Sequence, residues 1–374
     1  MERKSLPEIC KPKQWKTIST TDLVESGYPV YGANGIIGYF NSFNHESPTI
    51  LITCRGATCG EIHKCKAKSY VNGNAMALDD LSSEINIDYL YYYLKSYDFN
   101  KIISGTAQPQ ITKEGLKNLF VSYPPLETQK KIVTMLDKAQ ELIDKRKEQM
   151  KLLDELIQSV FYIMFGDPVT NPKGWEKRKI GDTIQRLTAG WSVDGEARKL
   201  LPEEKAVLKV SAVTQGYFKE EEYKVIPSKQ EIKKYVYPQK GDLLFSRANT
   251  RELVGATCII NKDYPNLILP DKLWKIQFFN IANVCYMKQV MSHKAIRSKF
   301  SIQSTGTSGS MFNVSMDKFK SIRIPLPPIS LQTRFAELIE IIEQQRDLMY
   351  NSLGQMEDNF NSIIQRAFNG KLFN

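Results

Sequence analysis

The chain has no apolar run near the 18 residues that a membrane helix needs; its densest patch, Tyr89-Leu90-Tyr91-Tyr92-Tyr93-Leu94, is a third of that. A membrane span is therefore not expected. Met1 to Lys16 is polar and charged and has no apolar core, so no export signal is expected either. Cysteine is sparse: Cys10, Cys54, Cys59, Cys65, Cys258 and Cys285 are the six in 374 residues. Without export they are expected to be reduced thiols, and the protein cytoplasmic. Cys54, Cys59, His63 and Cys65 lie close together, but their spacing matches no common zinc pattern. Buried thiols beside a surface histidine are the plainer reading. His45 and His293 are the other two histidines, few for acid–base chemistry.

Catalytic signatures are missing as well. Tyr123-Pro124-Pro125-Leu126 has the Pro-Pro of adenine-amino methyltransferases but not its neighbours. That chemistry needs an amide or carboxylate before Pro-Pro, to accept from the amino group, and an aromatic ring after it, to stack the flipped base. Tyr and Leu stand there instead. No strand is followed by Gly-x-Gly to hold a nucleoside cofactor, and no Gly-x-x-x-x-Gly-Lys-Ser/Thr cradles a triphosphate. Pro270-Asp271 is not followed by the acidic-x-Lys triplet of a Mg²⁺ nuclease. A non-catalytic chain that binds no cofactor or metal is expected.

What the chain does have is a repeat. Leu116-Lys117-Asn118-Leu119 leading to Pro124-Pro125-Leu126-Glu127-Thr128-Gln129 returns 203 residues later as Phe319-Lys320-Ser321-Ile322 leading to Pro327-Pro328-Ile329-Ser330-Leu331-Gln332. The correspondence continues without a gap to Phe165 opposite Phe368. Both copies carry apolar residues in alternating steps of four and three. The first runs Ile132, Leu136, Ala139, Ile143, Met150, Leu153, Ile157, Val160, Met164, with Arg146 interrupting. The second runs Phe335, Ile339, Ile342, Met349, Leu353, Met356, Phe360, Ile363, Ala367, with Arg346 interrupting. This spacing predicts two long helices, each with a narrow seam for another helix. At 1.5 Å per residue, about 39 residues span about 58 Å. Pro-Pro precedes each helix, and Gly166 and Gly370 lie just past the ends. The two arginines are expected to set an antiparallel register beside acidic groups on the facing helix.

Two weaker likenesses extend the repeat. Pro12-Lys13-Gln14-Trp15 resembles Pro172-Lys173-Gly174-Trp175 at an offset of 160, and Ile50–Arg55 resembles Asp242–Arg247 at 192. Between the helices, Ser47–Thr53, Ala206–Val213, Asp242–Ser246 and Thr257–Ile260 read as strands, Tyr89–Leu94 and Asn283–Val290 as short helices. The order is globular, helix, globular, helix.

The net charge of +10 is local. Residues 1–124 hold 13 basic and 12 acidic side chains, residues 125–165 hold 7 and 7, residues 166–326 hold 27 and 16, and residues 327–374 hold 4 and 6. The second globular region therefore carries the attraction for an acidic partner, and the helices carry none.

Two diverged regions alternating with two repeated helices resemble the specificity (S) subunit of type I restriction–modification systems. The resemblance covers essentially the whole chain. It rests on Pro-Pro-Leu-x-x-Gln-x-x-Ile (124–132) and its echo at 327–335, on Trp15 and Trp175, and on Gln108-Pro109-Gln110-Ile111. Ser246-Arg247-Ala248-Asn249-Thr250 and Glu252-Leu253-Val254-Gly255 complete it. It implies an α+β chain: target-recognition domains at 1–123 and 167–326, with spacer helices at 124–166 and 327–374 packed as an antiparallel coiled coil. Each domain would read one half of a bipartite site on double-stranded DNA. Two methyltransferase subunits using S-adenosylmethionine, and two restriction subunits using ATP and Mg²⁺, would be the partners. A coiled-coil adaptor for other proteins, an enzyme fused to such a scaffold, and the specificity part of a related bipartite-site system are the alternatives.

The residues suited to DNA fall into two groups. In the first domain, Arg55 follows an apolar strand and would reach a phosphate or a guanine edge, or form a surface salt bridge. Gln108 and Gln110 suit adenine or a turn at Pro109. Lys64, Lys66 and Lys68 suit phosphate or a solvated face. In the second, Arg247, Asn249, Arg251 and Lys272 flank the equivalent strand. Ser304, Thr305 and Thr307 belong to a Gly- and Ser-rich loop, with Asn313 beyond it, suited to phosphate or to plain flexibility. Arg297 and Lys299 are further phosphate neighbours.

Overall fold

The computed structural model describes residues 1–105, 108–302 and 312–373. It divides into two compact units: residues 1–148 with 349–374, and residues 149–348. The first unit opens with β1 (Glu2–Ser5), α1 (Leu6–Ile9) and β2 (Lys11–Gln14). Then come β3 (Tyr28–Gly32), β4 (Gly35–Phe40), β5 (Ile50–Thr53), β6 (Ile62–Lys64), β7 (Tyr70–Val71) and β8 (Ala75–Asp79). Helices α2 (Ile87–Lys95) and α3 (Lys113–Leu116) and strand β9 (Phe120–Tyr123) lead into α4 (Leu126–Phe165), which continues into the second unit. Strand β1 pairs antiparallel with β9, closing the unit on itself. A four-stranded sheet has the order β2-β8-β5-β6 and a three-stranded sheet the order β4-β3-β7. The run Ile50-Leu51-Ile52 is buried on both faces, as a continuous apolar strand should be. Ile50 and Ile52 join the helical core around Tyr89, and Leu51 joins Tyr31 and Val71 on the other side.

The second unit repeats this plan. It runs β10 (Lys177–Lys179), α5 (Ile180–Thr183), β11 (Ile184–Ala189), β12 (Ala206–Leu208), β13 (Tyr223–Val225) and β14 (Leu243–Ser246). Strands β15 (Ala248–Asn249), β16 (Thr257–Ile259), β17 (Leu267–Ile268) and β18 (Leu273–Phe278) follow. Next are α6 (Val284–Ser292), α7 (Lys294–Ile302), β19 (Phe312–Asn313), α8 (Met316–Ser321), β20 (Arg323–Pro325) and α9 (Ile329–Phe368). The sheets have the orders β11-β18-β14-β16 and β13-β12-β17, and β10 pairs with β20. The stretch expected to be a strand over 206–213 stops at Leu208. There the chain turns into a 3-10 helix, Val210–Val213, in which Ser211 Oγ donates to the Glu222 carboxylate at 2.7 Å.

Strand register makes the units equivalent and corrects two of the sequence likenesses. Ser5 opposes Phe120 and Lys179 opposes Arg323, so the offset is 174 at the first strand and 203 at the last. The bulge between Ile184 and Arg186 raises the offset to 175 at the next strand, where Gln14 matches Ala189, so Trp15 is equivalent to Gly190, not Trp175. The two tryptophans have different tasks: Trp15 Nε1 donates to Asp79 at 3.0 Å, while Trp175 Nε1 donates to the Phe165 carbonyl at 2.9 Å and ties down the end of α4. The central strands align at 193, not 192. Leu243 and Phe245 enter the helical core as Ile50 and Ile52 do, and Leu244 turns away as Leu51 does. A one-residue slip exchanges the faces of a strand. Arg55 is thus equivalent to Ala248, and Arg247 to Cys54.

Helices α4 and α9 are 40 residues each and start 203 residues apart, as the periodicity predicts. All eighteen apolar seam positions are buried or half-buried, and so are Arg146 and Arg346. Gly166 and Gly370 adopt left-handed φ of 77° and 71° at the helix ends, where a Cβ would be strained. In the first unit, Ile132, Val133 and Leu136 share a core with Ile364 and Ala367, and Lys147 meets Glu357 at 2.8 Å. In the second, Phe161 and Phe165 meet the Phe335 ring at 5.8 and 5.3 Å, and Arg346 meets Asp154 at 3.4 Å. Within each unit, rising numbers on α4 meet falling numbers on α9, so the segments are antiparallel.

The glutamine of the repeated motif explains the spacing of Pro-Pro-x-x-x-Gln. Gln129 and Gln332 are fully buried. Gln129 accepts from Asn86 N at 2.8 Å and donates to the carbonyls of Glu84 and Pro124. Gln332 accepts from Asn283 N at 2.9 Å and donates to those of Ile281 and Pro327. Asn86 and Asn283 are themselves the N-caps of α2 and α6. One side chain therefore locks each long helix to the short helix beside it. Tyr89 and Tyr286 add a second tie, donating to the carbonyls of Ser122 and Pro325 at 2.7 and 2.6 Å.

Candidate nucleic-acid interface

In both units the chain leaves the central strand of the four-stranded sheet as a loop, and a later segment runs antiparallel beside that loop. In the first unit Arg55 pairs with Gln110, and Ile111 N donates to the Cys54 carbonyl at 3.0 Å. In the second unit Ala248 pairs with Asn313, and Val314 N donates to the Arg247 carbonyl at 2.9 Å. Gln110 and Asn313 are thus equivalent, 203 residues apart. Both have amide side chains, which can donate to and accept from a base edge at once.

The first unit gathers Arg55, Gln108 and Gln110 at this end of the sheet. All three are exposed. Ser104 and Gln110 exchange two backbone hydrogen bonds of 2.9 Å, so Gln108 lies within a closed loop beside Arg55. Arg55 makes none of the ion pairs among the described residues. Lys64, Lys66 and Lys68 are not part of this cluster. Lys64 opposes Ile50, at the far end of β5, so five strand residues, about 17 Å, separate it from Arg55. Its ammonium is paired with Asp88, and Lys68 lies 4.0 Å from Glu46.

The second unit gathers more of the expected residues. Arg247, Asn249, Arg251, Lys272 and Asn313 all belong to segments in mutual contact; Arg247 N donates to the Lys272 carbonyl at 3.0 Å, and Asn249 opposes Phe312. Ser304, Thr305 and Thr307 lie outside the described residues. Arg247 is half-buried. Its Nε donates to the Asp271 carbonyl at 2.8 Å and its Nη2 to the Asp271 carboxylate at 3.0 Å. Burial acts to raise the Asp271 carboxyl, but hydrogen bonds from Ser192 and Arg247 outweigh it and hold the group below the usual carboxylate range. Asp271 is therefore the residue that aims Arg247, and sequence reasoning considered it only as the start of an absent nuclease triplet. The signal that finds it is the pairing of β14 with β18, which brings the residues after Ser246 beside those before Leu273.

The cysteine cluster is structural in its geometry. Cys54 accepts from Gln14 Nε2 at 2.9 Å and donates to the Asn74 carbonyl at 3.2 Å, while Cys65 accepts from Thr49 N at 3.3 Å. Burial pushes both thiols up, away from the thiolate that a metal needs. Among the described residues no group of three or more His, Cys, Asp or Glu is placed to hold a metal ion. No helix among them is long and apolar enough to cross a membrane.

Known proteins share this architecture. The model of the type I restriction modification DNA specificity domain matches residues 1–152 and 172–357. The type I restriction enzyme EcoprrI specificity subunit of Escherichia coli is 32% identical over 142 residues, which are 37% of this chain and 35% of that protein. The EcoKI specificity subunit of Escherichia coli strain K12 is 25% identical over 292 residues, 73% of this chain and 62% of that protein. The matches thus span less than two thirds of either relative. Among solved structures, the type I restriction–modification S subunit from M. genitalium superposes with a TM-score of 0.58 at 14% identity, covering 98% of this chain and 96% of that one. A chain solved in work on complex assembly and conformational transition of the type I R-M system gives 0.56 at 14%, covering 99% and 98%. At that identity the likeness is one of fold. The family model matches twice, on the two halves that strand register makes equivalent, and the chain belongs to the type I restriction modification DNA specificity domain family.

Proposed function

We propose that this chain is the non-catalytic specificity subunit of a type I restriction–modification enzyme, with recognition domains at 1–123 and 167–326 reading the two halves of a split site on double-stranded DNA. The duplicated loop pair carries the reading: Arg55 beside Gln110 in one unit, Asn249 and Asn313 beside Arg247 in the other. Two like frameworks with unlike side chains at the same end suit two different half-sites.

Helices at 124–166 and 327–374 act as an antiparallel coiled coil that sets the spacing between the half-sites. Their exposed apolar residues, such as Leu142, Leu152, Ile163, Ile341 and Leu348, suit docking of two methyltransferase subunits. Those partners would supply S-adenosylmethionine chemistry, and two restriction subunits the ATP- and Mg²⁺-dependent steps, in the cytoplasm.

The test is a map of methylated adenine in the host genome, with and without an intact gene for this chain. A split motif methylated only when the chain is present is the expected result. Methylation that is unsplit, or that persists without the chain, would refute the proposal.

A further inference from the structure

The basic excess of the second unit has one main location. From Lys272 to Met316 the sequence holds no acidic residue in 45 positions, yet six basic ones. Three of them, Lys294, Arg297 and Lys299, lie on the nine-residue helix α7. At 100° per residue, Ile296 and Phe300 face the core, Arg297 and Lys299 flank them on either side, and Lys294 points away. None of these three cations, nor Arg251, takes part in the ion pairs found among the described residues. In the first unit Lys64 and Lys68 have carboxylate partners, and Arg55 and Lys66 are the candidate cations that take part in no ion pair among the described residues.

Helix α7 also supports the recognition loop. Arg297 Nε donates to the Val254 carbonyl at 3.2 Å, and Arg297 Nη2 is buried without a partner among the described residues. Partial burial pushes the guanidinium below its ordinary value, a cost that a bound anion would offset. A Cβ on Gly255 would meet the Phe300 ring at 2.7 Å, so the loop 250–255 rests directly on the helix. Arg251 projects from that same loop and is exposed.

The equivalent place in the first unit has the same support but a mixed charge, with Arg55 and Lys101 near Glu61 and Asp98. There Gly60 rests on Phe99, whose Cβ lies 2.9 Å from the position of an added Cβ. Phe99 belongs to a single turn of 3-10 helix, Phe99–Lys101, where the second unit has a full α-helix. The surface beside it is an open cleft of about 360 Å³ lined by Glu61, Asp98 and Asn100.

We propose that helix α7, together with Arg251 of the loop it carries, is a phosphate-gripping surface that only the second recognition domain has. The proposal rests on the DNA-reading function above. Phosphate contacts hold a duplex in register without reading its sequence. The second domain therefore supplies most of the salt-dependent affinity, and the first works mainly through polar contacts such as those of Gln108 and Gln110.

The test uses the assembled complex purified through a tag on the full chain. Its affinity for a duplex carrying the split motif, and for one with both halves scrambled, is measured across a range of salt. In R251Q/K294Q, two exposed cations are lost. The slope of log affinity against log salt should flatten by about two, and both duplexes should weaken by the same factor, about tenfold or more near physiological salt. R297Q should flatten the slope further by about one, whereas R297K, which keeps the charge, should restore it; a merely structural role would not separate these two variants. Neutralising Lys131 and Lys138 on α4 should leave the slope unchanged. An unchanged slope in R251Q/K294Q, with the wild type still selecting the split duplex, overturns the phosphate grip alone. A changed preference between half-site sequences at an unchanged slope also overturns it, because the residues would then be reading bases. A wild-type complex that prefers neither duplex refutes the function proposed above, and the grip with it.

Discussion

The two units hold the same framework with different contents, and the places where they differ separate what folds the chain from what it recognises. Both close on a two-stranded ribbon, both lock a long helix through a buried glutamine, and both send a loop over a phenylalanine. The differences gather between these fixed points. One lies inside the sheets. Lys275 is 8% exposed and pairs with the buried Asp242 at 2.7 Å, and its ammonium also donates to the Tyr237 carbonyl and to Gln239. By strand register the first unit has Ala77 and Thr49 at these places. An ion pair in one unit is thus replaced by small neutral residues in the other, with no change in strand order.

The comparison can be broken in three places, and the largest effect is expected at this ion pair. K275A leaves the buried Asp242 carboxylate without its counter-ion, held only by hydrogen bonds from Gln239 N and Gln277 Nε2, at a cost of about 3 kcal/mol in urea unfolding. The double variant D242T/K275A, which installs the residues of the first unit, should recover part of that loss. A double variant no more stable than K275A would mean that the two sheets are not interchangeable in this way. Next come the locks. Q129A and Q332A each strand an amide N–H and two carbonyls, and each should cost about 2–3 kcal/mol. The two deficits should agree to within about 1 kcal/mol; a much smaller one for Q332A would deny that the frameworks are equivalent. The smallest effect concerns Arg247. Its partly exposed pair with Asp271 is worth under about 1 kcal/mol. Because the folded Asp271 carboxyl sits below its usual range, the pair contributes above the ordinary aspartate pKa of about 3.9 and fades as pH falls through the lower folded value. The stability deficit of R247A should therefore shrink between neutral pH and pH 3, and a constant deficit would count against the pairing.

The long helices were legible in the sequence because their periodicity is local and extends over five heptads. Every seam position expected to be covered is covered, and Arg346 meets an acidic group on the facing helix. The sheets were legible only in outline. Strands of two to six residues carry little pattern, and likeness at Arg55 and Arg247 outweighed the alternation of faces that shifts the true match by one position. The Trp15 and Trp175 likeness misled for a similar reason, since short Pro-Lys-x-Trp stretches can serve different structures. Gln129 stood out as a motif residue, yet its role depends on Asn86, 43 positions earlier, and no spacing rule connects them. Among the candidate DNA contacts, Arg55 and Gln110 come together because their segments pair, whereas Lys64 falls at the other end of its sheet. Charge composition pointed to the second region but not to α7 within it.

The ribbons β1–β9 and β10–β20 also act as a clasp. Between its two strands the first unit threads one length of chain and the second unit 29 residues more, as the change of offset from 174 to 203 records. In both, the last strand hands over to Pro-Pro and a 40-residue helix in the same way. Whatever is threaded between clasped ends can lengthen, shorten or be exchanged for another insert without moving the point at which the helix begins. Under the proposed function, a change of recognised sequence would be mechanically separate from the ruler that measures the gap.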